Sequence, residues 1–221
     1  DIRFVQVNHL HPNNNLHVRQ FRTRRFDDIP TDVAKKTQEA RKVAQRAAIG
    51  DVPPHVETAF RSLTGSMIHD LYGLRVLFGV PTRVVSTDIW AEGKAYSTTL
   101  EYPEGYRCLA TWVDLPELWD FQETLGVYGS NKRVIVDYGT GFSRKLSTVT
   151  IQEIDKTGHT VRRQPELDWE SPFRRELRHF HKSIVTGTTS RSPVQSARDD
   201  TALIIDIIKA YLSGGNLIRS V

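Results

Sequence analysis

The stretch Thr64-Gly65-Ser66-Met67-Ile68-His69-Asp70-Leu71-Tyr72-Gly73-Leu74-Arg75-Val76-Leu77-Phe78-Gly79-Val80-Pro81 decides how the rest of the chain is read. Met67, Ile68, Leu71, Leu74, Leu77 and Phe78 recur at helical spacing and predict an amphipathic helix facing a core. Gly79 followed by Pro81 ends it in the usual order, glycine just past the helix and proline beyond. His69 sits off the apolar stripe, about one turn from the start. After Pro81 the pattern changes to strands, which this helix would cover.

Arg83–Ile89 and Tyr96–Tyr102 read as strands joined by a polar turn at Glu92-Gly93-Lys94. Pro103-Glu104-Gly105 is a second turn signal, and Tyr106–Leu115 follows with clean alternation. In that segment Tyr106, Cys108, Ala110 and Trp112 share one face, and Arg107, Leu109, Thr111 and Val113 share the other. Leu118–Tyr128, Arg133–Tyr138 and Leu146–Ile154 continue the series, with a turn at Gly129-Ser130-Asn131. Successive hairpins predict a largely antiparallel sheet, and so an α+β fold with an open sheet covered on one face by helices. Both faces carry large side chains, so the second face is expected to be covered by another subunit, in a homodimer or tetramer.

Upstream, Asp1–Asn8 begins directly as a strand and leads into the polar loop His9-Leu10-His11-Pro12-Asn13-Asn14-Asn15-Leu16-His17. Thr31 to Ile49 reads as a charged, alanine-rich helix with Thr31 as N-cap and Gly50 as C-cap. Its apolar stripe is thin, and Lys35, Lys36, Arg41, Lys42 and Arg46 make a solvated basic face. Pro53 and Pro54 break the chain before the His69 helix. Downstream, Ser171-Pro172 opens a helix with Phe173, Leu177, Phe180 and Ile184 on one stripe, closed by Gly187. Ser192-Pro193-Val194-Gln195 has capping-box form and opens a last helix with Ala197, Thr201, Ile204, Ile208 and Tyr211 facing inward.

A chain of 221 residues buries a real core as a single domain, 1–221. Its charge of +4, from 30 basic and 26 acidic residues, is mildly basic, and no nucleic-acid partner is expected. No apolar run approaches membrane-spanning length, so no membrane partner is expected either. The single cysteine, Cys108, excludes an internal disulfide and fits a reducing cytoplasm. Gly139-Thr140-Gly141-Phe142-Ser143-Arg144 follows a strand, but Arg144 stands where a dinucleotide fingerprint needs its third glycine, and no P-loop is present. The chain itself is therefore expected to bind no cofactor. His179 and His181 lie two apart on a helix and point to different faces. His9 and His11 lie two apart at a strand end and share a face, so with His69 they would in principle make a three-histidine site. No carboxylate or further histidine stands at ligand spacing beside them, and no metal is expected.

Several of these segments together resemble the C-terminal domain of the glucose–fructose oxidoreductase / inositol dehydrogenase / MocA oxidoreductases. The resemblance rests on Ile68-His69-Asp70 in a helix ending Leu77-Phe78-Gly79-Val80-Pro81, on the Tyr102-Pro103-Glu104-Gly105 turn, and on Val127-Tyr128-Gly129-Ser130. It continues with Phe173-Arg174-Arg175-Glu176-Leu177-Arg178-His179-Phe180 and Ser192-Pro193-Val194-Gln195-Ser196-Ala197-Arg198-Asp199-Asp200, and covers most of Gly65 to Gly214.

The resemblance implies a dihydrodipicolinate-reductase-like C-terminal fold that supplies a substrate pocket and an oligomer contact. It also implies an N-terminal Rossmann domain, expected upstream of Asp1, that binds NAD or NADP in the full-length protein. The implied reaction is hydride transfer between the nicotinamide and a sugar, inositol or similar polyol. His69 stands at the position of the histidine that handles the proton of the reacting hydroxyl, and an imidazole titrates in the range that role needs. Tyr72, His9 and His11 are the accompanying substrate-binding candidates. The sequence departs from the family pattern at Gly65, where an aspartate usually precedes the histidine by one turn, and at Tyr72, where an acidic residue is often found. The alternative is a noncatalytic binding or dimerisation module that keeps the fold and lacks the chemistry.

Overall fold

Among the described residues nine strands form one sheet with the first strand near its centre. The computed structural model describes residues 1–22, 24, 26–142, 145–168, 170–214 and 217–218. Strand β1 (Ile2–His11) is followed by a short helix α1 (Asn14–Val18), a long helix α2 (Thr31–Ile49) and helix α3 (Pro54–Ser62). A five-residue π turn (Leu63–Met67) joins α3 to α4 (Ile68–Phe78). Strands β2 (Arg83–Trp90), β3 (Ala95–Glu101), β4 (Arg107–Asp114), β5 (Gln122–Gly129), β6 (Lys132–Tyr138), β7 (Thr148–Ile154) and β8 (Thr160–Arg163) follow. Helices α5 (Pro172–Thr186) and α6 (Val194–Leu212) and the two-residue β9 (Leu217–Ile218) complete the order.

The strand order is β8-β7-β6-β5-β1-β4-β3-β2-β9. Every described pairing is antiparallel except β1 with β4. That parallel pair needs a crossover, and the helical stretch from α1 to α4 together with β2 and β3 supplies it. The expected antiparallel sheet is thus present with one exception. Hairpin reasoning finds neighbours in sequence and cannot reveal a first strand inserted between β4 and β5.

The alternation read from the sequence assigns the faces. Val5, Val7, Cys108, Ala110, Trp112, Tyr96, Leu100 and Leu125 are buried beneath the helices. Met67, Leu71 and Leu74 of the π turn and α4 meet Leu203, Ile204, Ile207 and Ile208 of α6 in the same core. Each such side chain contributes about 1.5–3 kcal/mol when fully buried. Arg75 locks the two helices laterally: its Nε and Nη2 donate to Asp200 Oδ1 and Oδ2 at 2.6 and 3.0 Å, and it also donates to Ser196. At the far end of α4, Gly79 takes the positive φ of 80° that closes the helix, its N–H donating to Arg75 O at 3.0 Å. Phe78 then packs edge-on against Tyr102 and Tyr106, which stack on each other across the Pro103-Glu104-Gly105 turn.

Several local expectations need correction. Leu77 is 59% exposed, so the α4 stripe is narrower than its apolar positions suggest. A helix, α3, occupies the segment read as a break, because Pro54 stands in its first turn, where a proline lacks no needed N–H. Thr31 opens α2 without capping it, and Pro193, not Ser192, holds the cap position of α6. Strand β5 begins at Gln122, and Leu118 and Trp119 before it are exposed. The α5 stripe does not enter the core: Phe173, Leu177, Phe180 and Ile184 are all exposed. Amphipathic spacing establishes that a stripe exists, not that this chain covers it. Ser143 and Arg144 of the glycine-containing loop lie outside the described residues.

The sheet face away from α4 and α6 carries Phe4, Gln6, Asn8 and Leu10 of β1 and Leu109, Thr111 and Val113 of β4, all half-buried. Helix α2 packs with α6 and buries only Ile49. No helix among the described residues is long and apolar enough to cross a membrane.

Candidate functional site

Strand register gathers one transverse row of polar and aromatic side chains on the helix-covered face. His9 of β1 stands opposite Trp112 of β4 and opposite Glu123 of β5. Trp112 in turn pairs with Tyr96 of β3, and Glu123 with Tyr138 of β6. The row therefore runs Tyr138, Glu123, His9, Trp112, Tyr96 across five strands. His11, two residues on from His9, shares its face.

The helix above contributes the other half. Ser66 lies in the π turn and Asp70 four residues later in α4, so both project from one side of the continuous helix. A π turn inserts an extra residue and rotates the following face, a device often found at functional sites. Here half-buried Ser66 and buried Asp70 face the sheet beside the fully buried side chains of Met67 and Leu71.

The hydrogen bonds can be followed from one end to the other. His9 Nδ1 lies 2.7 Å from Asp70 Oδ2 and 3.9 Å from Glu123 Oε2. The Glu123 and Asp70 carboxyls hydrogen-bond to each other. His9 Nε2 lies 3.1 Å from His11 Nδ1 and 3.2 Å from Ser66 Oγ. Ser66 Oγ accepts from Trp112 Nε1 at 3.0 Å. One consistent assignment has Glu123 O–H and His9 Nδ1–H donating to an ionised Asp70, with His9 Nε2 accepting from Ser66 and His11. His11 stacks on Trp112 at 5.7 Å between centroids, and Phe121 meets both imidazoles edge-on.

Burial sets the charges. It raises the pKa of Asp70 and of Glu123, the latter furthest, to about 8, with repulsion from Asp70 as the second cause. Two carboxyls this close and this buried cannot both ionise without a cation, so they hold a proton between them. Burial also depresses the pKa of His9, against the pull of Glu123, and that of His11, with His9 adding to the effect there. The imidazoles are thus held in the neutral form that donates and accepts at once. His17 of α1 is near enough to contribute to the His11 shift, and its Nε2 is buried without a hydrogen-bond partner among the described residues. A cavity of about 1160 Å³ adjoins the row at Tyr138 and is lined further by Phe142, Lys145, Asp168, Glu170 and Phe173.

Of the residues singled out in the sequence, the structure brings His9 and His11 together and leaves His69 and Tyr72 outside this cluster. His69 is exposed on α4, one position from Asp70. The Tyr72 hydroxyl donates to the backbone oxygen of Arg191 at 3.2 Å, and its ring lies under the Arg75 guanidinium at 5.4 Å. The three-histidine set His9, His11 and His69 does not form a common ligand group; carboxylates accompany His9 instead. Sequence reading missed Ser66, Asp70 and Glu123. Asp70 lies within the Thr64–Pro81 stretch, and its polar character at a position flanking the apolar stripe is the available signal. Glu123 carried none, because only strand register places it beside His9.

Comparison with known proteins defines the class of fold. No protein-family profile matches the chain, and no curated protein matches it in sequence. Solved structures do match over nearly all of it. An aldose-aldose oxidoreductase from Caulobacter crescentus, complexed with glycerol, aligns with a TM-score of 0.60 at 19% identity over 99% of this chain and 56% of its own. A levoglucosan dehydrogenase in complex with NADH and L-sorbose gives 0.65 at 9% identity, over 100% and 59%. A UDP-N-acetylglucosamine 3-dehydrogenase from Acidithiobacillus ferrooxidans gives 0.56 at 14% identity, over 96% and 55%. The chain thus spans rather more than half the length of these enzymes. At such identities the likeness establishes the fold, and it is the oxidoreductase-domain fold that the sequence resemblance implied.

The hydrogen-bond chain yields a stability prediction. Ser66→Ala removes the partner of a buried indole N–H and is expected to destabilise the chain by about 1–3 kcal/mol. In a Trp112→Phe background, where that donor is gone, the same substitution is expected to have less effect. Equilibrium denaturation of the four proteins measures the difference, and equal losses in both backgrounds would show that Ser66 does not serve Trp112.

Proposed function

We propose that this chain supplies the substrate-binding and oligomer-forming part of an NAD(P)-dependent oxidoreductase acting on a sugar, inositol or similar polyol. The observation that carries the reading is the match of essentially the whole chain to part of an aldose-aldose oxidoreductase, a levoglucosan dehydrogenase and a UDP-N-acetylglucosamine 3-dehydrogenase. The polar, aromatic-walled cluster is chemistry suited to such a ligand: stacked rings offer a flat apolar surface, and imidazoles offer paired donors and acceptors for hydroxyls.

In this reading NAD or NADP is held by a part of the protein outside this chain. His69, exposed on α4, takes the proton of the reacting hydroxyl as hydride leaves. His11, His9 and Tyr72 orient the substrate, and the His9–Asp70 pair fixes the ring that supports His11. Gly65 offers no carboxylate to hold His69, so the noncatalytic module is the reading that gains if His69 proves dispensable. In the full-length protein, His69→Ala is expected to lower the rate of hydride transfer by about 10²–10⁴-fold while leaving substrate affinity much less changed. Turnover at the parental rate would remove His69 from the mechanism.

The uncovered sheet face is assigned to self-association. Phe4, Leu10, Leu109 and Val113 are interleaved there with Gln6, Asn8 and Thr111, a mixture that a two-fold axis can pair with itself. A stable interface buries roughly 1,200–2,000 Å² in total, and several strands of the sheet contribute to this face. Light scattering at micromolar concentration is expected to give a multiple of the 25.2 kDa chain mass. A monomer mass would mean that this face is left to solvent.

A further inference from the structure

We propose that His9, Asp70 and Glu123 form a binding site for a first-row divalent cation, with Zn²⁺ as the reference ion. The inference goes beyond the dehydrogenase reading and stands whether or not His69 acts in catalysis. A ligand atom from each of the three residues lies within 4.8 Å of the other two, and His9 and Asp70 are buried. Two ligands of such an ion, each 2.0–2.2 Å from it, stand about 3–3.5 Å apart. His9 Nδ1 is 2.7 Å from Asp70 Oδ2 and 3.9 Å from Glu123 Oε2, values on either side of that spacing. The three ligand atoms, all within 4.8 Å of one another, need only close up around one ion.

The donor set is one nitrogen and two carboxylate oxygens, which suits Zn²⁺ and its first-row neighbours rather than a soft ion or an all-oxygen Ca²⁺ site. Charge balance favours it as well. Two buried carboxylates need a compensating positive charge, and a divalent ion supplies it in full while a shared proton supplies half. The supporting contacts have the form seen around metal-bound histidine: the far nitrogen of His9 is held by His11 at 3.1 Å and Ser66 at 3.2 Å, which fixes the ring. The three ligands come from β1, α4 and β5, with His9 and Glu123 directly paired in register, so the geometry rests on rigid elements. Glu123, with 16% of its side chain exposed against 4% and 3% for His9 and Asp70, is the side from which an ion enters. Three protein ligands leave a further position for water or an oxygen of a bound molecule.

The test uses the 221-residue chain, stripped with EDTA and dialysed, then titrated with ZnCl₂ by calorimetry and with CoCl₂ by visible absorption near neutral pH. One ion per chain is expected, with a Co²⁺ d–d spectrum of a low-coordinate nitrogen and oxygen site. Glu123→Gln and Asp70→Asn keep the shape and a hydrogen-bonding group. Each is expected to weaken Zn²⁺ binding by more than the roughly 10–100-fold that loss of a supporting residue brings. His159→Ala, which alters an exposed imidazole in the β7–β8 turn, is expected to bind as the parent does. Histidine ¹⁵N resonances of the parent chain give a readout that needs no variant: Zn²⁺ should convert His9 Nδ1 from an N–H to a ligating nitrogen. Absence of stoichiometric binding, binding that survives both carboxamide variants, or binding that leaves His9 unchanged would each overturn the proposal.

Discussion

The His9–Asp70 hydrogen bond, 2.7 Å long and buried on both sides, is the contact on which the arrangement of this molecule turns. It ties the central strand to the covering helix between the buried apolar residues Val7, Met67 and Leu71. A polar pair there is tolerated only if each donor and acceptor is met, because an unmet one costs about 1–3 kcal/mol. Ser66, His11, Trp112 and Glu123 meet them. The pair therefore dictates which residues must stand on β4, on β5 and in the π turn, and it fixes the rotation of α4 relative to the sheet. Apolar packing alone would leave that rotation free to vary, since Leu71 and Leu74 would fit their neighbours over a range of angles.

The same constraint separates two surfaces. Asp70 points into the sheet while His69, one residue before it, points to solvent. One helix thus serves an internal polar cluster and an external imidazole at once. The exposed stripe of α5 adds a second outward-facing feature, and Phe173 of that stripe touches Phe142 at the mouth of the cavity beside Tyr138. The bare face of the sheet lies on the opposite side. The one-sided helix layer thus leaves the polar cluster and the half-buried sheet face on opposite sides of the sheet.

Much of this was legible in the sequence. Period-two alternation located β2, β3, β4, β6 and β7 and assigned Cys108, Ala110 and Trp112 to the buried face. Period-3.6 spacing located α2, α4, α5 and α6, and Gly79 and Gly187 marked helix ends. What stayed hidden has a common physical origin. Strand insertion, the placement of Glu123 beside His9 and the partnership of Asp70 with His9 are all long-range, and periodicity reports only on the immediate surroundings of a residue. The α3 helix was lost for a different reason: Pro53-Pro54 was read as a break, although the rule that placed Pro172 in the first turn of α5 applies equally to Pro54. The π turn is invisible to any fixed period. His9 and His11 do share a face at the end of β1, but spacing along the chain does not reveal their neighbours, which register across the sheet supplies.

The central claim is that His9 and Asp70 act as one buried unit joining strand to helix. A double-mutant cycle on the stability of the EDTA-treated chain, with His9→Ala, Asp70→Ala and the combined variant, measures that most directly. The account predicts that the two losses are strongly non-additive, with a coupling of about 1.5–3 kcal/mol. Losses that add to within about 0.5 kcal/mol would show that the two residues contribute separately, and would contradict it.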